Sequence, residues 1–212
     1  MHEIRRPLSV IRAYSSFGIG QTVELSGGEV LELLQEIDSA AILLDSILGD
    51  LETVALKEGT QVRVETIDLM CFFAETASRF QALAPGRKLS LTLHEPLCVR
   101  ADRLRLEQVI SNLVENASHY SLPGGEICIE STREGKQIVL TVSDEGPGVL
   151  PSYLERIFEP FFRGPEVASD VRGSGLGLAI CRDFLAAQGG SMWASLPDSG
   201  GFQIGIALPA AA

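Results

Sequence analysis

The 212-residue sequence predicts an α+β chain: an N-terminal helical hairpin that is half of a dimeric four-helix bundle, then a two-layer sandwich with helices on one face of a mixed sheet. Three observations carry this reading. Apolar residues recur in alternating steps of four and three from Val30 to Ala55. After Gly59 short period-two stretches replace that rhythm. Strand-like and helix-like stretches then follow one another without strict alternation, which points to an α+β sandwich. The predicted domains are 1–58 and 60–212.

The first helix is expected from His2 to about Phe17, and "GIGQTVELSGG" turns the chain back. The second places Val30, Leu34, Ile37, Ala41, Leu44, Leu48, Leu51 and Ala55 on one seam. Leu33, Ala40, Ile47 and Val54 form a second row seven apart. That stripe is wider than a two-stranded seam and suits a four-helix bundle. A second copy of the hairpin is the simplest way to cover it, hence a homodimer. About 16 residues of first helix span ~24 Å, against ~40 Å for the second. A longer upstream segment is therefore expected, with Met1 a truncated start.

In the sandwich, "TQVRVETIDL" alternates like a strand and leads into a helix near Leu69–Leu83. "KLSLTLH" and "LCVRAD" read as two more strands, and Asp102 as the N-cap of the next helix. On that helix Leu106, Val109, Ile110, Leu113, Val114 and Ala117 form the core face. "GEICIESTREGKQIVLTVSDEG" reads as a hairpin turning at Glu134–Gly135. A glycine- and proline-rich segment follows from about Val149 to Gly173, then a helix through "GLGLAICRDFLAAQ" and a final strand pair, "GSMWASLP" and "GFQIGIALP".

Composition removes several function classes. Seventeen Lys and Arg against 28 Asp and Glu give a net charge of −11, which argues against nucleic-acid binding. A small phosphate ligand held by backbone N–H groups stays compatible with that charge. No apolar run approaches the roughly 20 residues of a membrane span, so no membrane contact is expected of this fragment. Cys71, Cys98, Cys128 and Cys181 are too far apart for a metal knuckle or a redox pair, and each sits in an apolar stretch. Four reduced, buried thiols and a cytoplasmic location follow, the full-length parent being compatible with a membrane anchor.

Four clusters carry chemistry. Asn112, Asn116, His119 and Tyr120 share a second face of the Asp102-capped helix, where an amide oxygen suits Mg²⁺. "VSDEGPGV" ends a strand on Asp144, and Gly146 and Gly148 let the backbone turn sharply. A carboxylate there can accept a hydrogen bond from an exocyclic amine such as that of adenine. "GSGLGLAI" brings Gly173, Gly175 and Gly177 to the start of a helix, where N–H groups and the dipole favour phosphate. Leu178 stands where a dinucleotide fingerprint needs glycine, and a polar loop precedes it, so a Rossmann site is rejected. In "IFEPFFRG", Phe158, Phe161 and Phe162 border a glycine-rich stretch that could act as a lid. Taken singly, each cluster is equally a turn, a packing glycine or a core aromatic.

In order and spacing, "HEIRRPL", "NLVENASHYS", "DEGPGV", "IFEPFFRG" and "GSGLGLAI" resemble the H, N, G1, F and G2 boxes of two-component sensor histidine kinases. The resemblance implies a dimerisation and phosphotransfer hairpin followed by an ATP-binding domain of the GHKL (Bergerat) fold, shared with DNA gyrase and chaperone ATPases. It implies ATP and Mg²⁺ as cofactors, autophosphorylation on His2 and transfer to an aspartate of a response regulator receiver domain. Glu3 becomes the general base or orienting group for His2. Neighbours at i and i+1 do not face each other on a helix, and Pro7 supplies the bend that lets them pair. The implied nucleotide contacts are Asn112, Asn116 (also the Mg²⁺ ligand), His119, Tyr120, Asp144, Gly146, Gly148, Phe158, Arg163, Arg172, Gly173, Gly175, Leu176 and Gly177. Residues 149–173 become the ATP lid.

Departures from the family pattern qualify this. Arg6 stands where phosphatase-active members usually carry threonine or asparagine. His119 takes a place often held by a phosphate-contacting lysine, with Arg163 and Arg172 as candidate substitutes. Asn112 occupies the position of the water-activating glutamate of the related ATPases, and an amide is a poor base; Glu115 is the alternative. Three readings compete: a histidine kinase, an ATP-binding scaffold that does not phosphorylate itself, and an ATPase or serine kinase with an incidental hairpin.

Overall fold

The computed structural model describes residues 8–16, 28–38, 40, 41, 44, 62–94, 97–164, 174–198 and 200–211. The chain divides into two compact units, Met1–Gly59 with Arg172–Ser174, and Thr60–Val171 with Gly175–Ala212. His2, Glu3, Arg6, Pro7, Arg172 and Gly173 lie outside the described residues.

In the first unit, residues 8–16 (α1) and 28–38 (α2) are helical, as are 40, 41 and 44. Ala40 is buried, and Leu33, Ile37 and Leu44 are half-buried. Val30, Leu34 and Ala41 are exposed. Among the described residues, the row read as the main seam is thus partly uncovered within one chain, while Leu33 and Ala40 of the second row are the more covered.

The second unit is built on a five-stranded sheet in the order β2 (Lys88–Leu93), β4 (Glu126–Glu134), β5 (Gln137–Asp144), β7 (Phe202–Pro209), β6 (Ser191–Ser195). Only β2 and β4 run parallel, so the sheet is mixed as predicted. β1 (Glu65–Asp68) and β3 (Cys98–Ala101) pair antiparallel as a separate ribbon. α3 (Leu69–Leu83), α4 (Arg103–Tyr120) and α5 (Gly177–Ala186) complete the second layer, α4 packing against both of the others. Every second residue of the central strands is buried against them: Ile127 and Ile129, Ile138, Leu140 and Val142, Ile204, Ile206 and Leu208.

Local rules set the helix starts. Asp68 caps α3 by accepting from the Cys71 N–H at 3.0 Å. Asp102 caps α4 by accepting from the Arg105 N–H at 3.2 Å. The whole predicted core face of α4 is buried. Arg105 is buried too, its guanidinium 4.3 Å from the centre of the Phe184 ring on α5 and donating to Gln108 Oε1 at 3.0 Å.

Two expectations need correction. β1 is shorter than its alternating sequence, because β3 ends where α4 begins; the Arg63 N–H donates instead to the Asp102 carboxylate at 2.9 Å. The cysteines are free thiols, but they are not four buried ones. Cys181 is buried, Cys98 and Cys128 are intermediate, and Cys71 is exposed on α3. Helix and strand periodicity, not the apolar neighbours in sequence, decides which side a thiol takes.

Candidate ATP site

Three of the four clusters meet along the second half of α4. Asn112 and Asn116 lie one turn apart, and the Asn116 Nδ2 donates to the Asn112 Oδ1 at 3.0 Å. Both are half-buried, while Glu115, His119 and Tyr120 are exposed. The start of α5 rests on the first asparagine. A Cβ on Gly177 would collide with the Asn112 Nδ2, with Cγ and Oδ1 at 3.0 Å, so any other residue there must displace the amide. Leu176, the N-cap of α5, has no polar side-chain group with which to cap the helix.

At the other end of this face sits the turn after β5. Asp144 is 8% exposed and accepts from the Gly146 N–H at 2.7 Å. Burial pushes its carboxyl up to about 6, and the Gly146 bond opposes that rise. Gly146 passes directly under the end of α4: a Cβ there would lie 2.5 Å from the Tyr120 carbonyl oxygen and 2.6 Å from Asp144 Oδ1. Gly148 has φ +69°, and a Cβ on it would meet Leu196. Burial raises the Tyr120 phenol, and the Arg163 guanidinium pulls it back down, so these two groups sense each other's charge.

The phenylalanine cluster divides. Phe158 is 2% exposed, a core ring with the Arg182 guanidinium 5.6 Å from its centre, which leaves it no surface for nucleotide in this conformation. Phe161 is 49% exposed and holds φ +64°, rare for a bulky residue. Its N–H donates to the Gly175 carbonyl at 2.8 Å. Gly175, at φ +72°, would place a Cβ 2.9 Å from the Phe161 carbonyl carbon. Phe161, inside the span read as the lid, and Gly175, just beyond that span, therefore meet backbone to backbone.

Residues 101–212 match the family described as histidine kinase-, DNA gyrase B-, and HSP90-like ATPase. The chain belongs to this family.

Its ATP-binding domain sits among sensor-kinase relatives. The chain is 31% identical over 213 aligned residues to the signal transduction histidine-protein kinase BaeS of Escherichia coli, covering 98% of this chain and 45% of that protein. It is 30% identical over 194 residues to the alginate biosynthesis sensor protein KinB of Pseudomonas aeruginosa, covering 89% and 32%. The chain thus spans less than half of these relatives. The solved mycobacterial sensor histidine kinase MprB matches 70% of the chain and 98% of its own, at 27% identity and TM-score 0.61. The Acinetobacter baumannii histidine kinase AdeS matches 99% and 98%, at 23% identity and TM-score 0.72, and shares the fold.

Sequence reasoning passed over one cluster near the candidate ATP site. Arg156 lies 5.7 Å from the Tyr153 ring centre and 4.5 Å from that of Phe162, and the two rings are 5.4 Å apart. Its pairing with Glu159 at 3.6 Å follows an i,i+3 spacing that was readable. The stacking was not, because the two 3₁₀ turns, Pro151–Tyr153 and Arg156–Phe158, have no periodic signal.

Proposed function

We propose that the chain is the catalytic core of a sensor histidine kinase, with a hairpin over 1–58 and an ATP-binding domain over 60–212. It binds Mg·ATP, phosphorylates His2 and passes the phosphoryl group to an aspartate of a response regulator. The observation that carries this is the convergence on α4 of a buried carboxylate, a hydrogen-bonded amide pair and a glycine-led helix start. In this reading Asp144 accepts from the adenine amine, and Gly175, Gly177 and the first turn of α5 hold phosphate oxygens.

The donor set fits magnesium. Among the described residues no group of three His, Cys, Asp or Glu could hold a metal. Asn116 offers one hard amide oxygen, which suits an ion that takes its remaining ligands from phosphates and water. Mg²⁺ at this place screens phosphate charge during in-line transfer. A neutral imidazole nitrogen of His2 attacks the γ-phosphorus, the bond to ADP breaks, and Glu3 takes or orients the ring proton. Asn112, an amide, does not activate water, so ATP is held for the histidine.

Val30, Leu34 and Ala41, exposed in a single chain, are the face that a second hairpin would cover in a homodimer. The histidine kinase ThkA, solved in complex with the response regulator TrrA, has the same fold at TM-score 0.72 and 23% identity, which accords with a receiver-domain partner. No helix among the described residues is long and apolar enough to cross a membrane. A cytoplasmic place next to a membrane-anchored sensor is consistent with these properties.

The test is γ-labelled ATP. Acid-labile, base-stable label that disappears in His2→Gln supports the proposal. ATP binding without label transfer would favour a nucleotide-binding scaffold, and rapid phosphate release abolished by Glu115→Ala an ATPase.

A further inference from the structure

A carboxamide is an ambiguous metal ligand. One side is an oxygen that a cation attracts, the other an NH₂ that repels it, and a half-turn about the last side-chain torsion exchanges them. The α4 backbone does nothing to choose between them for Asn116. We propose that Asn112 makes this choice: it is a positioning residue that consumes the Asn116 NH₂ and leaves the Asn116 oxygen for Mg²⁺. This rests on the reading of the site as a Mg·ATP site.

The geometry is a chain of three groups. The Asn116 Nδ2 donates to the Asn112 Oδ1 at 3.0 Å, which uses the nitrogen side of the ligand amide. Asn112 must then itself be held oxygen-first. Its Nδ2 lies against the bare Cα of Gly177, in space that a Cβ would fill. Turning the Asn112 amide over would bring its NH₂ against the NH₂ of Asn116, two donors face to face. The first residue of α5 thus seats Asn112, and Asn112 orients Asn116. The same helix start carries the glycines read as the phosphate cradle, so cradle and metal ligand are held in register through one amide. This also explains a local oddity. Two asparagines one turn apart weaken an otherwise apolar helix, and the second is useful only if the first aims it.

Calorimetric titration of the full 212-residue chain with a non-hydrolysable ATP analogue tests this, once with saturating Mg²⁺ and once with EDTA. The wild type should bind more tightly with Mg²⁺. Asn112→Leu keeps the shape and removes the acceptor. The ratio of its Mg²⁺ affinity to its metal-free affinity should fall by about tenfold or more, the scale of losses on removing a group that orients a metal ligand. Gly177→Ala, which pushes the Asn112 amide away and also alters the phosphate cradle, should lower both affinities and shrink their ratio as well. An unchanged ratio of the two affinities in Asn112→Leu overturns the proposal, whether or not both affinities fall together. A wild type with no Mg²⁺-dependent gain overturns the magnesium reading itself, a distinguishable failure. Should Asn112→Leu not fold, the wild-type Asn116 side-chain amide decides by NMR. One proton protected from exchange supports the proposal, and two freely exchanging protons overturn it.

Discussion

Asp144 carries a charge in a place that opposes it. Burial raises its carboxyl from the ordinary 3.8 to about 6. The folded chain therefore binds this proton more tightly than the unfolded one. The stability that protonation contributes is complete below pH 3.8 and is lost as the pH rises through 6. Above that window, ionised Asp144 costs the fold about 3 kcal/mol, roughly two pKa units at about 1.4 kcal/mol each. Asp144→Asn keeps an oxygen for the Gly146 N–H and removes the charge. It is predicted to be more stable than the wild type by up to about 3 kcal/mol at neutral pH, the difference shrinking towards zero near pH ~4. Urea unfolding of both proteins across this range measures it, and subtraction cancels the other carboxylates. Trp193, the single tryptophan and part of β6, reports the sandwich by fluorescence. A difference independent of pH, or a variant less stable at neutral pH, would refute the reasoning.

Nucleotide affinity should move the opposite way. It is expected to fall as the pH drops through about 6, because a neutral carboxyl is a weaker acceptor, and Asp144→Asn should bind weakly with no such dependence; calorimetry in matched buffers checks both. Gly146→Ala places a Cβ 2.5 Å from the Tyr120 carbonyl oxygen and should cost ~1–3 kcal/mol in urea unfolding as well as nucleotide affinity. The two phenylalanines should separate. Phe158→Ala empties a core site and is expected to cost ~3–5 kcal/mol. Phe161→Gly gives up an exposed ring and relieves a positive φ, so its cost should stay under about 1 kcal/mol in the same assay.

Where a single rule acted locally, the sequence was readable. Periodicity identified the buried face of α4 residue by residue, and the cap at Asp102 is the predicted one. The site was legible as four clusters, yet the contacts that join them are distant in sequence, that between Asn112 and Gly177 crossing more than sixty positions. Nothing in the spacing indicates that Gly177 is glycine because an amide occupies the room. Arg105 shows the converse limit. A charged residue reads as surface until the ring it stacks on, Phe184, is brought from another helix. On α2 the heptad was clear, but which of its two rows turns inward depends on where α1 packs, and periodicity alone does not fix that.

The hydrogen bond between Phe161 and Gly175 has a consequence for how the intervening segment can vary. Positions 161 and 175 are joined at one point, so a change in the number of residues between them enters the fold mainly as a closure term, which is thermodynamically mild. Each doubling costs only about 0.6 kcal/mol in closure entropy. Insertions or deletions between these anchors should therefore leave the sandwich nearly as stable as before. The clasp lets the sequence between these two positions diverge between proteins without disturbing the sandwich.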